Sequence, residues 1–204
     1  MNQRPHSIIA IPLALAAALA LGACDPLSIA VGGGAVTGVA ASQERGIKHA
    51  ANDTSLKLGI SDRLLKKDLN LFGKVSVTVV ESRVLLTGAV RSDADRDEAT
   101  RLAWLAEGVR EVMNEIQVTN DGDFADIGRD AWITTRLKAQ MLTDREVSDI
   151  NYSVETVNGV VYLMGIAQNA AELARVTDHA RTISGVRRVV SHVVLKTDPR
   201  RQKL

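Results

Sequence analysis

The 204-residue chain has one cysteine, four prolines and few aromatic residues, 3 per cent in all. A lone cysteine excludes an internal disulfide, so no covalent staple supports the fold. The shortage of aromatics means that any core is built from Leu, Val, Ile and Ala, within a hydrophobic content of 46 per cent. Lys and Arg nearly balance Asp and Glu, leaving a formal net charge of +1. That balance excludes the broad basic excess expected of a nucleic-acid binder. Signatures of catalysis are also missing. The histidines, His6, His49, His179 and His192, have no metal-ligand spacing, so neither a metal nor a cofactor is expected. His192 alternates with apolar strand positions and reads as a surface residue. There is no GxSxG, and the glycines at 32–34 lack the Lys-Ser/Thr of a phosphate loop. The acids Asp93, Asp95, Asp97 and Glu98 open a helix, where negative charge complements the dipole; this reading is preferred to a catalytic carboxylate pair. The chain reads as a non-enzyme.

Residues 8–21 form an apolar run interrupted by Pro12, too short to span a bilayer comfortably. The sequence Leu21-Gly22-Ala23-Cys24 that follows resembles a bacterial lipobox. The resemblance implies that residues 1–23 are a signal peptide and that the Cys24 thiol carries acyl chains such as palmitate, facing the periplasm. A plain secretory leader or a short anchor is the alternative. Asp25 resembles an inner-membrane retention signal, so two destinations stay open: the outer membrane, which is the expected one, and the inner membrane. Residues 24–45 read as a Gly/Ala-rich tether.

An internal repeat dominates the rest. A shift of 77 positions lays VLLTGAV (84–90) on VYLMGIA (161–167), and GVREVMNEIQV (108–118) on GVRRVVSHVVL (185–195). Gly88 falls on Gly165 and Gly108 on Gly185. The units are expected at 46–119 and 125–197, with a linker at 120–124 and a basic C-terminal tail at 198–204. In each, an amphipathic helix comes first (47–65, 127–142); Ile133, Leu137 and Met141 mark the second one's core stripe. Two short strands follow around a tight turn. Asn158-Gly159 is a strong type I′ signal, and Glu81-Ser82 is a weak one supported by the repeat. Ser92 with Asp95, and Asn169 with Glu172, mark the start of a second helix. Gly108 and Gly185 sit where that helix stops, and a third strand closes the unit. The fold class is α+β: two tandem αββαβ domains, each a three-stranded sheet with two helices on one face. Units this small bury limited core alone, so contact between the copies is expected to help. Trp104 is expected either at that contact or partly covering its own domain.

The element order and two motifs resemble the BON domain (bacterial OsmY and nodulation). The motifs are V-x-L-x-G (Val84, Leu86, Gly88; Val161, Leu163, Gly165) and Gly-Val-x-x-Val (Gly108, Val109, Val112; Gly185, Val186, Val189). Copy one continues with Asn114 and Ile116, whereas copy two has Ser191 in the place of Asn114. With the lipobox and tether, the chain resembles the dual-BON lipoproteins of Gram-negative envelopes. That implies a non-catalytic protein that binds anionic phospholipid and supports outer-membrane integrity.

The two copies differ on their first helices. In 130–142, Trp132 stands one residue off the core stripe, about 100° round the helix. Arg136 lies a turn further along that flank, Lys138 on the polar side and Arg129 near the helix start. In copy one the places of Trp132 and Arg136 are taken by Ser55 and Gly59. An interfacial Trp with basic companions suits an anionic membrane surface. Alternatively, Trp132 packs over the core or against copy one, or serves as a contact for an envelope-assembly protein. The C-terminal Arg200, Arg201 and Lys203 either add weak attraction to a membrane or form a solvated tail. The oligomeric state is open.

Overall fold

The computed structural model describes residues 42–119 and 124–201. Cys24, Asp25, most of the tether and Lys203 lie outside them. The first unit runs α1 (Gly46–Lys67), α2 (Leu69–Lys74), β1 (Val75–Val80), β2 (Arg83–Val90), α3 (Asp93–Trp104), β3 (Glu111–Asn114) and β4 (Gln117–Val118). The second repeats the order: α4 (Phe124–Thr143), a 3-10 turn (Asp149–Asn151), β5 (Tyr152–Val157), β6 (Val160–Ala167), α5 (Ala170–Thr182), β7 (Arg188–Ser191) and β8 (Val194–Leu195). β2 is central in its sheet, antiparallel to β1 and parallel to β3 and β4; β6 holds the same place in the second.

One detail differs from three plain strands. The closing strand of each sheet is broken in two. The Asn114 Oδ1 accepts from the Ile116 N–H at 3.1 Å, and the Ser191 Oγ from the Val193 N–H at 3.4 Å. Both side chains turn the backbone locally and interrupt the ladder. Ser191 therefore does the work of Asn114, with a longer bond.

Each hairpin tip is held by an aspartate on the first helix. The buried Asp53 accepts from the Glu81 and Ser82 N–H groups at 2.9 and 2.8 Å. Asp130, 77 positions on, accepts from Asn158 and Gly159 at 2.6 and 2.8 Å. Glu81 and Ser82 have φ of 52° and 62°, which costs a non-glycine residue about 1 kcal/mol or more. The Asp53 carboxylate offsets that cost with two charge-assisted bonds. The helix starts follow the capping pattern: Ser92 Oγ accepts from Asp95 N–H and Asn169 Oδ1 from Glu172 N–H. Gly88 and Gly165 have positive φ, and a Cβ on them would stand 2.0 Å from the Lys74 carbonyl oxygen and 2.1 Å from that of Asn151. The backbone entering β1 or β5 passes too close for any side chain.

Each domain has its own core between helices and one sheet face. Leu56, Ile60, Leu64, Ala99 and Ala103 meet Val77, Val84 and Leu86 in the first; Ile133, Leu137, Met141, Val176 and Ala180 meet Val154, Val161 and Leu163 in the second. The opposite sheet faces pack on each other. Val80, Leu85 and Met113 meet Tyr162, Met164, Ile166 and Val194. The sheets are thus back to back and the helices form the two outer layers. Trp104 takes no part in this contact: it is 52% exposed at the end of α3. His192 is not a plain surface residue. Its Nε2 lies 2.9 Å from Glu115 Oε1 across the domain boundary, and its side chain is 21% exposed. It sits there because it occupies the strand break of β7–β8, which faces the corresponding break of domain 1. The tail does not leave the body at residue 198 either, since the Arg201 guanidinium is bonded to the buried Glu81.

Candidate functional site

α4 owes its orientation to two anchors. Ile133, Leu137 and Met141 enter the core, and Asp130 is turned to the hairpin tip. Thr134 Oγ1 adds a 2.7 Å hydrogen bond to Thr156 Oγ1 on β5. With these residues inward, the helical twist leaves Gly128, Ala131, Trp132, Thr135, Ala139 and Leu142 pointing out, and all six are exposed. Trp132 is 52% exposed and Leu142 71%. Arg129 and Arg136 border this strip on one side, and all three basic residues of the helix are exposed. Arg129 lays its aliphatic stem beside Gly185. Lys138, two residues from Arg136 and so about 160° away, borders the strip on the other side.

The arrangement is an apolar, mostly small-residue strip with bases along both edges. Among the described side chains of α4, the single acid is Asp130, and the hairpin amides occupy its carboxylate. The structure thus brings Trp132, Arg129 and Arg136 to one flank and places Lys138 on the other. Sequence reasoning missed the exposed Leu142 and Ile127, although the twist that exposes Trp132 also exposes Leu142, one residue off Met141. The equivalent face of α1 is different. It carries Ser55, Leu58 and Asp62, with Asp62 paired to Lys66 at 2.7 Å. The glycines Gly88, Gly165, Gly108 and Gly185 all have positive φ; Gly88 and Gly165 lie within β2 and β6, while Gly108 and Gly185 follow α3 and α5.

No helix among the described residues is long and apolar enough to cross a membrane. Among those residues, no group of three or more His, Cys, Asp or Glu side chains converges as a metal site. Local polar contacts lie beside the helix. At the C-terminal end of α4, Asp144 accepts from His179 at 2.7 Å, and this bond holds its carboxyl below the ordinary range. Tyr152 is pushed up by burial, with Glu172 adding to the effect.

The chain matches the family model "BON domain" twice, over residues 52–120 and 129–197. It is 36% identical to "Outer membrane lipoprotein DolP" of Haemophilus influenzae, covering 78% of this chain and 83% of that protein. It is 40% identical to an "Uncharacterized protein in gshII 5'region" of Anaplasma centrale, over 71% of this chain and 95% of the relative. Similarity to "Osmotically-inducible protein Y" of Escherichia coli is 29% identity, over 71% and 73%.

Proposed function

Because this chain belongs to the BON-domain family and carries two copies of the domain, we propose that it is a lipid-anchored envelope protein whose second domain docks on anionic phospholipid. The observation that carries this reading is the outer face of α4: an exposed Trp132 and Leu142 on a small-residue strip, with Arg129, Arg136 and Lys138 at its edges and no outward acid among the described side chains of the helix. A helix of this kind buries its apolar face at the headgroup level while the bases meet lipid charge, each contributing about 1 kcal/mol. Trp favours that interface. The lipobox at Cys24 and the relative named as an outer membrane lipoprotein support an acyl anchor in the outer membrane. The anchor raises the local concentration of headgroups, so a weak second contact is enough. The function is binding in support of envelope integrity, with no catalytic step.

Trp fluorescence tests the docking. The full-length chain with Cys24→Ser is titrated with phosphatidylglycerol vesicles and with phosphatidylcholine vesicles, beside Trp132→Ala in the same background. A blue shift with the anionic lipid alone, weakened by salt and lost in Trp132→Ala, is the expected result. Absence of both a shift and co-sedimentation overturns the reading. The helix would then serve as a contact for an envelope-assembly protein.

A further inference from the structure

The segments that flank the two BON domains cross over. Before entering α1, the chain is bonded to domain 2: Gln43 Nε2 donates to the Ile150 carbonyl at 3.0 Å and the Glu44 N–H to Asn151 Oδ1 at 2.7 Å. The Glu44 carboxylate also takes Lys196 Nζ at 3.2 Å. After leaving β8, the chain is bonded to domain 1: the Arg201 guanidinium meets the Glu81 carboxylate at 2.8 Å, with side chains 17% and 3% exposed. Arg201 then donates back to the Glu44 carbonyl at 3.3 Å, joining the two crossings. Glu44 and Arg201 both lie outside the matched domain segments, 52–120 and 129–197. A single BON domain has no use for either contact.

We propose that Glu44 and Arg201 are positioning residues: they form a reciprocal clasp that locks the two domains into one two-sided plate. The docking side is α4, and this part rests on the membrane reading above. The other side is the α1/α3 layer of domain 1, with Trp104 and Leu105, both more than half exposed. Packed sheets stand about 10 Å apart and each helix layer adds about 10 Å, so α1 and α4 are separated by about 30 Å. A bilayer that touches Trp132 therefore leaves Trp104 far from lipid. The clasp keeps this true by preventing domain 1 from swinging on the link between β4 and α4.

Two measurements on the full-length chain test this. The first needs no lipid. Spin labels at Ser55→Cys and Thr135→Cys, in a Cys24→Ser background, report the distance between the outer layers. One narrow distribution is expected, broadening at least twofold in Glu44→Gln/Arg201→Gln, with Arg201→Lys intermediate. An unchanged distribution in the double variant, with its circular dichroism intact, overturns the clasp. The second uses the acylated chain in vesicles of brominated phosphatidylglycerol. The Trp104→Phe chain, which keeps Trp132, is expected to be quenched at least threefold more than the Trp132→Phe chain. Equal quenching of both overturns the two-sided assignment. Quenching of neither sinks the docking reading and the sidedness with it, while the spin-label result still decides the clasp.

Discussion

His192 and Glu115 occupy the same place in the two repeats, 77 positions apart, and their side chains meet at 2.9 Å. Equivalent residues touch each other only near a two-fold axis, so the domains are related by an approximate one. Other contacts agree. The tip of the first hairpin is held by Arg201, just beyond β8. The tip of the second is held by Gln117 of β4, which donates to the Val157 carbonyl at 3.0 Å and accepts from Asn158 Nδ2 at 2.9 Å. For the partly exposed His192–Glu115 pair, a double-mutant cycle to alanine should give a coupling of about 0.5–1 kcal/mol in urea unfolding. Additive single effects would show that the pair does not bind the domains together.

Gly88→Ala and Gly165→Ala should each cost about 3 kcal/mol or more. The added methyl meets a backbone carbonyl oxygen at 2.0–2.1 Å, and the positive φ disfavours alanine as well. Thermal melts of the two variants check this. A loss below about 1 kcal/mol would mean that the backbone entering β1 or β5 can move away.

Local structure was legible because its signals lie within a few residues of one another. Ser92 and Asn169 cap their helices, Asn158-Gly159 makes the turn, and Trp132 points out because Ile133 points in. The 77-residue shift supplied the rest of each unit, including the weak Glu81-Ser82 turn. The domain contact was less legible, although its signal was present. Tyr162, Met164 and Ile166 alternate with the core residues Val161 and Leu163, and a strand apolar on both faces needs both covered. The clasp had no local signature: Arg201 and Glu81 are 120 positions apart. In sequence, Arg201 looks like one more base in a solvated tail. Likewise, nothing near Asp53 announces that it serves a turn some 28 residues downstream.

Acid should weaken the joints between the domains. Glu111 is held below the ordinary carboxylate range by the hydrogen bond from Arg83, whose guanidinium also donates to the His192 carbonyl of domain 2. Burial pushes Glu44 up, but hydrogen bonds from Gln168 and Lys196 outweigh it and leave its carboxyl lowered. A lowered folded-state pKa means that the stabilisation is complete above the ordinary value of 4.5 and is lost as pH falls through the lowered one. The gap in urea midpoint between wild type and Glu44→Gln/Glu111→Gln should therefore stay constant from pH 7 to pH 5.5 and narrow at more acid pH. A gap that closes between pH 7 and pH 6 would point to histidine instead.

Asp53→Ala should destabilise more than Asp130→Ala, although each removes the same pair of bonds to a hairpin tip. Loss of two bonds to a carboxylate, with the amides left unpaired, costs about 2–3 kcal/mol in either domain. In domain 2 the freed turn is still Asn158-Gly159, a sequence that prefers positive φ by itself. In domain 1 it is Glu81-Ser82, which holds φ of 52° and 62° against its own preference. Asp53 also pairs with Arg45 at 3.0 Å, so its loss releases the segment before α1 that forms the clasp. Hydrogen exchange at the four turn amides separates the two effects. Exchange at Glu81 and Ser82 in Asp53→Ala should rise about tenfold more than exchange at Asn158 and Gly159 in Asp130→Ala. Equal rises would mean that the turn sequences contribute nothing beyond the carboxylate bonds.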